Sequence, residues 1–352
     1  MTAIVSSLEV PPIGIRDALN AGPTSPDAFR AAFECMTCLD QIEQRPPPSP
    51  PAAPLDSARV LFWNAERLKF PAPSAAMIRR ANPDAVILCE LDLGMARSEN
   101  RHAIADLAAA LDAGYIYAVE FVELDLGDAR ERGWFAGERN AAGLHGAGLV
   151  SPRPLLDPYL LRLEASGRWF DGAFGERRVG GRIAVMASIE IGGAPVLLVS
   201  VHYESHTGPG DRLAQTRTLL DAIDRDFAGR PVLIGGDFNT NTMERADHEQ
   251  PRAVRAALDA DPERLIRPMR YEPMFAELAR RGYDWEACNL MGAVTQRTRP
   301  DGTPQEPHGR IDWFFARGLA CSEPAVIPAV DENGVAISDH EALAVTVRPL
   351  AS

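Results

Sequence analysis

The stretch VLIGGDFNTN, residues 232–241, opens on three consecutive apolar residues and closes in glycine, acid and amide. A short apolar run bounded by glycine predicts a strand buried on both faces. Asp237 and Asn239 stand two residues apart, and in extended geometry side chains at that separation point the same way. Two oxygen-bearing groups on one side of a strand end suit either a helix cap or a ligand, and the stretch alone leaves both open. From residue 55 onward the chain alternates strand-like and helix-like patterns. Strands are predicted over 59–64, 85–90, 115–122, 146–151, 182–191, 196–202, 232–236, 310–315 and 341–347, and helices over 75–81, 102–111, 211–227 and 273–281. The stretch 242–308 has mixed charge and weak strand signals, which predicts helices and loops inserted between two core strands.

The composition breaks once, at RPPPSPPAAP over 45–54, which should be extended and stiff. It marks off an N-terminal extension, 1–57, from a catalytic body, 58–350. Within the extension Ser25-Pro26-Asp27 reads as an N-cap, a first-turn proline and an acidic first turn, followed by Phe29, Phe33, Met36 and Leu39 at helical spacing. This predicts one amphipathic helix on a strap. Its apolar stripe can dock a partner or pack on its own domain, and the second reading is favoured.

The 352 residues, 46% of them hydrophobic, are enough for a substantial globular core. A net charge of -13 provides no global basic field for nucleic acid. It does not exclude catalysis at phosphate, because a bound metal reverses the field locally. Lys69 is the single lysine, which codon usage explains better than function does. Of the five cysteines, Cys35 and Cys38 form a C-x-x-C pair, but no second pair or histidine cluster completes a zinc site, and the odd count fits a reducing compartment. The first ten residues, MTAIVSSLEV, have neither a basic nor a long apolar region, and no later run has the length of a membrane span. A soluble, cytoplasmic protein is expected, and its oligomeric state leaves no trace in the sequence.

Polar groups recur at strand ends. RVLFWNAE ends in Asn64 and Glu66, AVILCE in Glu90, LLVSVH in His202 and LIGGDFN in Asp237 and Asn239. Other predicted strands carry theirs at the start: Arg182 before IAVMASIEI, Asp312 in RIDWFF, and Ser338-Asp339-His340 before EALAVTV. Between antiparallel neighbours one strand's end lies beside the next strand's start, so all these groups can gather on one edge. A set rich in carboxylates and amides prefers a hard cation such as Mg²⁺ or Mn²⁺. Two histidines beside it add charge or a proton near neutral pH. Together they suit phosphoryl chemistry, with a metal polarising phosphate oxygens and a carboxylate orienting water.

In this order the motifs N-x-E, V-I-L-x-E, V-S-V-H, G-G-D-F-N, G-R-I-D-W and S-D-H resemble the endonuclease/exonuclease/phosphatase superfamily, which includes deoxyribonuclease I-like enzymes. The resemblance spans about residues 58–349 and implies an α/β fold, a four-layer α/β/β/α sandwich of two mixed sheets flanked by helices, with Mg²⁺-dependent cleavage of phosphate esters. It implies Glu90 as principal metal ligand, assisted by Asn64 and Asp339, with Glu66 where some relatives carry aspartate. Asp237 would align the water, Asn239 hold a phosphate oxygen, and His340 and His202 donate to phosphoryl oxygens. Asp312 would orient His340. Arg182, with Arg178 as the alternative, would contact phosphate. Singly, Asn64 also suits a turn, Asp237 a cap and His202 a structural role, and for Glu66, Arg182 and His206 the structural reading competes evenly. Gly146 and Gly148 would allow close backbone approach under the site, while His145 suits either substrate contact or the surface.

The bond type is more legible than the substrate. A phosphodiesterase acting on nucleic acid leads, a phospholipid headgroup or small phosphate ester is the alternative, and a binding scaffold without turnover comes last. No arginine-and-aromatic loop stands out for nucleic acid beyond Trp134, Arg153, Arg168-Trp169 and Arg177-Arg178.

Overall fold

A computed structural model describes residues 2–49, 53–240, 256, 258–296 and 309–350. Much of the inserted stretch 242–308 and the middle of the proline run lie outside the described residues. Among those described, the first sheet contains β1 (Ala3–Val5), β2 (Gln41–Arg45), β3 (Ala58–Arg67), β4 (Ala85–Leu93), β5 (Gly114–Glu123), β6 (Leu144–Ser151), β8 (Arg178–Gly180), β13 (Leu319–Ile327) and β14 (Ala342–Pro349). Their order is β1-β2-β5-β6-β4-β3-β14-β13, with β8 paired to β5. The second sheet runs β12 (Asp312–Arg317), β11 (Val232–Asp237), β10 (Ala194–His202), β9 (Ile183–Ile191) and β7 (Leu156–Arg162). Both sheets are mixed: β3 runs parallel to β4 and β10 to β11, whereas β14 is antiparallel to β3 and β12 to β11.

Alternation along the strands decides the layers. In β3, Val60 and Phe62 point between the sheets and join Val185, Leu198 and Phe314, while Leu61 and Trp63 point outward. The outer face of the first sheet is covered by α2 (Pro26–Cys35), α3 (Pro71–Ala81) and α4 (Ala103–Ala110). In β10 the outward set is Leu197, Val199 and Val201, which meets Leu219 and Ile223 of α6 (Pro209–Asp226) and Phe275 and Leu278 of α7 (Pro273–Arg280). The result is the four-layer sandwich. Two shorter helices, α1 (Ile13–Ala21) and α5 (Ala129–Trp134), complete the described set.

All nine predicted strands are present, and among the described residues five more were not foreseen. Two of those, β7 and β13, are the outer strands of their sheets and carry Pro158 and Pro324. Each proline falls inside a register irregularity, between Leu156 and Tyr159 and between Ser322 and Ala325. Proline is tolerated at such edges and bulges because no ladder donor is needed there, and it erases the sequence pattern of a strand. The N-terminal segment also holds more than one helix on a strap: β2 pairs with β5, β1 pairs with β2, and α1 precedes α2. Ser25 caps α2 by accepting from the Ala28 N–H at 3.2 Å. Phe29, Met36 and Leu39 are buried on the chain's own core, with Phe29 beside Phe170.

A buried ion pair ties α6 to the turn before α7. Arg212 donates to Glu272 at 2.6 and 3.1 Å, and both side chains are fully shielded from solvent. Removing one partner takes away the other's buried counter-charge, so Arg212→Met should lower stability by about 3 to 5 kcal/mol in urea denaturation.

Candidate active site

The register of the second sheet sets His202, Asp237 and Asp312 in one row. His202 of β10 lies opposite Asp237 of β11, and Asp237 lies opposite Asp312 of β12. Asn64 and Glu90 approach from the first sheet. Three register irregularities mark that sheet's edge, between Asn64 and Arg67, between Leu88 and Leu91, and between Val119 and Phe121. Such bulges re-aim side chains, and here they turn Glu66, Glu90 and Glu120 out of the regular alternation. Glu66, Glu90 and Asn239 have φ of 43°, 53° and 47°. Left-handed backbone at non-glycine residues costs about 1 to 3 kcal/mol each and persists where the surroundings over-determine it.

The Asn64 amide joins the two sheets. Its Nδ2 donates to Glu90 Oε1 at 3.2 Å and to Asp237 Oδ2 at 3.1 Å, while its Oδ1 accepts from the Glu66 N–H at 3.1 Å. Both imidazoles face the same carboxylate: His202 Nε2 is 3.8 Å and His340 Nε2 is 3.7 Å from Asp237 Oδ2. His340 Nδ1 lies 3.0 Å from each Asp312 oxygen, which fixes the ring. Asn239 donates its N–H to Asp237 Oδ1 at 2.9 Å and its amide to the Tyr203 carbonyl at 2.9 Å. Asp339 donates its backbone N–H to Glu66 Oε2 at 3.1 Å, and Lys69 holds the other Glu66 oxygen at 2.6 Å.

Charge is crowded here. Burial pushes the Asp237 carboxyl up, and Asp312 adds to this against the pull of His340 and His202. Burial and then Asp339 raise Glu66, against Lys69 and Arg67. Burial opposes the charge of Glu90 too, but Arg67, 2.7 Å away, and the histidines outweigh it and hold Glu90 well below the usual carboxylate range. For His340 burial opposes the charged ring, yet Asp312 and Asp237 prevail and its pKa lies well above the ordinary value. Hard oxygen donors packed until two carboxyls resist ionisation are the donor set that a small divalent cation relieves. Ligand atoms of Asp237, Asp312 and His340 lie within 4.8 Å of one another.

Arg182 and Arg178 are both held in ion pairs. Arg182 donates to Glu120 at 2.6 Å and Glu204 at 3.3 Å, and its Nη1 lies 3.0 Å from His202 Nδ1. Arg178 pairs with Glu123 at 3.0 Å and with Glu176. Only 3% of Arg182 and 6% of Arg178 is exposed. His145 is likewise buried rather than at the surface, 2.8 Å from Asp92 and 3.4 Å from Arg97. A Cβ on Gly148 would strike the Ile116 carbonyl oxygen, so the glycine there serves close strand approach.

Three residues of the site escaped the sequence reading: Arg67, Glu120 and Glu204. Glu120 did leave a signal, as a lone carboxylate inside the apolar run AVEFV. Burial would raise it, but Arg182 and His202 hold it down at about 2.

The sequence profile of the Endonuclease/Exonuclease/phosphatase family matches residues 61–340, a span that holds all the groups just described. The chain belongs to this family. Family members are phosphoester hydrolases and generally use a divalent metal. Among solved structures, the chain is similar to an endonuclease/exonuclease/phosphatase from Beutenbergia cavernae, with 19% identity, 84% of this chain and 72% of that chain covered, and a TM-score of 0.56. It is also similar to one from Bacteroides vulgatus, with 16% identity, 84% and 99% covered and a TM-score of 0.52. The human Nocturnin catalytic domain is a third, with 15% identity, 86% and 100% covered and a TM-score of 0.50. These likenesses show the shared fold. Comparison with the curated proteins gives no match. Among the described residues, no helix of this family member is long and apolar enough to cross a membrane.

Proposed function

We propose that the chain is a divalent-metal-dependent phosphodiesterase, with nucleic acid as the leading substrate and Mg²⁺ as the ion, Mn²⁺ substituting. The observation that carries this reading is the Asn64 amide linking Glu90 to Asp237 beside two imidazoles. Glu90 would hold the cation, with Asn64, Asp339 and Glu66 beside it. When bound, the cation supplies a Lewis acid for the phosphate oxygens.

The chain's own groups do the rest. Asp237 aligns the attacking water and takes its proton. Asn239 has one amide N–H committed to Tyr203 and a second free by valence for a phosphate oxygen. His340, kept charged by Asp312, donates from Nε2 as negative charge builds on the phosphoryl group, and His202 faces the same place. Arg182, between Glu120 and Glu204, holds His202 in position.

A second reading, a small phosphate ester or phospholipid headgroup, is supported by the burial of Arg178 and Arg182 in ion pairs and by the net charge of -13, which leave little cationic surface for a polyanion. One panel separates the two: plasmid DNA, abasic duplex, RNA, a bis-aryl phosphate, sphingomyelin and inositol phosphates. Chelation is expected to abolish turnover and added Mg²⁺ or Mn²⁺ to restore it. Full turnover in chelator would remove the cation from the mechanism.

A further inference from the structure

Away from the catalytic edge, two cysteines that lie 33 positions apart meet. Cys288 and Cys321 bring their sulfurs to 3.0 Å, and both are free thiols. A disulfide needs about 2.0 Å, so the remaining gap is about one ångström. The sulfurs are carried on firmly held backbone. Cys321 sits in β13 opposite Val347 of β14. Beside Cys288, Asn289 donates to the Trp285 and Phe314 carbonyls at 2.7 and 2.8 Å and accepts from Phe314 N at 3.0 Å and from Arg310 at 2.9 Å. The meeting is therefore built into the packing of the inserted stretch against β12. Access differs between the partners: Cys288 is buried, whereas Cys321 is half-buried at the outer strand of its sheet.

We propose that Cys288 and Cys321 form an oxidisable pair that closes to a disulfide when the chain meets a low-molecular-weight disulfide. The thiolate of Cys321 attacks one sulfur of glutathione disulfide, forms a mixed disulfide and expels one glutathione thiolate. Cys288, deprotonated, then attacks the Cys321 sulfur and expels the second glutathione, so two protein thiols are oxidised and one glutathione disulfide is reduced. Contact with Cys321 and burial push the Cys288 thiol up, which leaves the accessible Cys321 to meet the oxidant first. The new bond closes the segment between positions 288 and 321, in which Arg310 and Asp312 lie. It ties the end of the inserted stretch to the edge strand β13. Closing a loop of that length restricts the unfolded chain, and the melting temperature should rise by about 5 °C.

The test uses the full chain, reduced and then treated with glutathione disulfide, with remaining thiols alkylated before peptide mapping. The expected result is one cross-linked peptide pair joining Cys288 to Cys321, with Cys35, Cys38 and Cys89 alkylated. Cys321→Ser should lose both the cross-link and the rise in melting temperature. Alkylation of Cys288 and Cys321 after treatment would overturn the proposal. So would a glutathione adduct that persists on Cys321, or a cross-link between Cys35 and Cys38 in place of the expected one.

Discussion

Asp237→Ala is expected to lower turnover at least about a hundredfold on whichever ester the substrate panel identifies, the scale of lost transition-state stabilisation. Asp237 Oδ2 is where the Asn64 amide and both imidazoles converge, so its removal leaves three groups aimed at nothing. The same change has a pH-dependent effect on stability. Burial raises the Asp237 carboxyl, so the folded protein holds that proton more tightly than the unfolded chain does. For an acid with a raised folded pKa, stability falls as pH rises past the ordinary value, and the ionised group at neutral pH is a cost. The melting temperature of Asp237→Ala relative to the parent protein should therefore improve as pH rises toward 7, by calorimetry, while activity is lost. Retention of more than about a tenth of the turnover would reject Asp237 as the group that aligns water.

His340→Ala is the second large effect, again at least about a hundredfold in turnover, but with the opposite consequence for stability. His340 lies 3.0 Å from each oxygen of the fully buried Asp312. Its folded pKa lies well above the ordinary imidazole value, so the charged ring contributes stability in full below that value and loses it as pH rises through the folded pKa. Removing the ring leaves Asp312 without its cation, and the variant should melt lower at pH 6, the difference narrowing as pH rises. Asp312→Asn complements it. The ring keeps a neighbour but loses the carboxylate that holds its proton, so turnover should fall by less than in His340→Ala. Equal rates for parent and His340→Ala would eliminate the proposed donor.

Most of the sandwich was legible because alternation and punctuation are local. The apolar run Val60-Leu61-Phe62-Trp63 marks a strand buried on both faces, and Gly235-Gly236 close the apolar run just before Asp237. The recurrence of acids, amides and imidazoles at strand ends was equally visible, since each lies within a residue or two of an apolar run. Two of the strands that went unseen, β7 and β13, carry a proline at a bulge on a sheet edge, where ladder bonding no longer requires a regular pattern.

The sequence by itself determined the two-faced strands, the helices that cover them and the chemical types available at their ends, because these depend on neighbours within a few residues. Tertiary structure alone decided which groups meet. Only the register of β10, β11 and β12 sets His202, Asp237 and Asp312 in a row, and only the facing of two sheets lets Asn64 reach Asp237 across 173 positions of chain. It also set Arg182 between Glu120 and Glu204, a pairing that no local pattern announces. Burial and pairing depend on contacts between residues distant in the chain, and no local pattern encodes them.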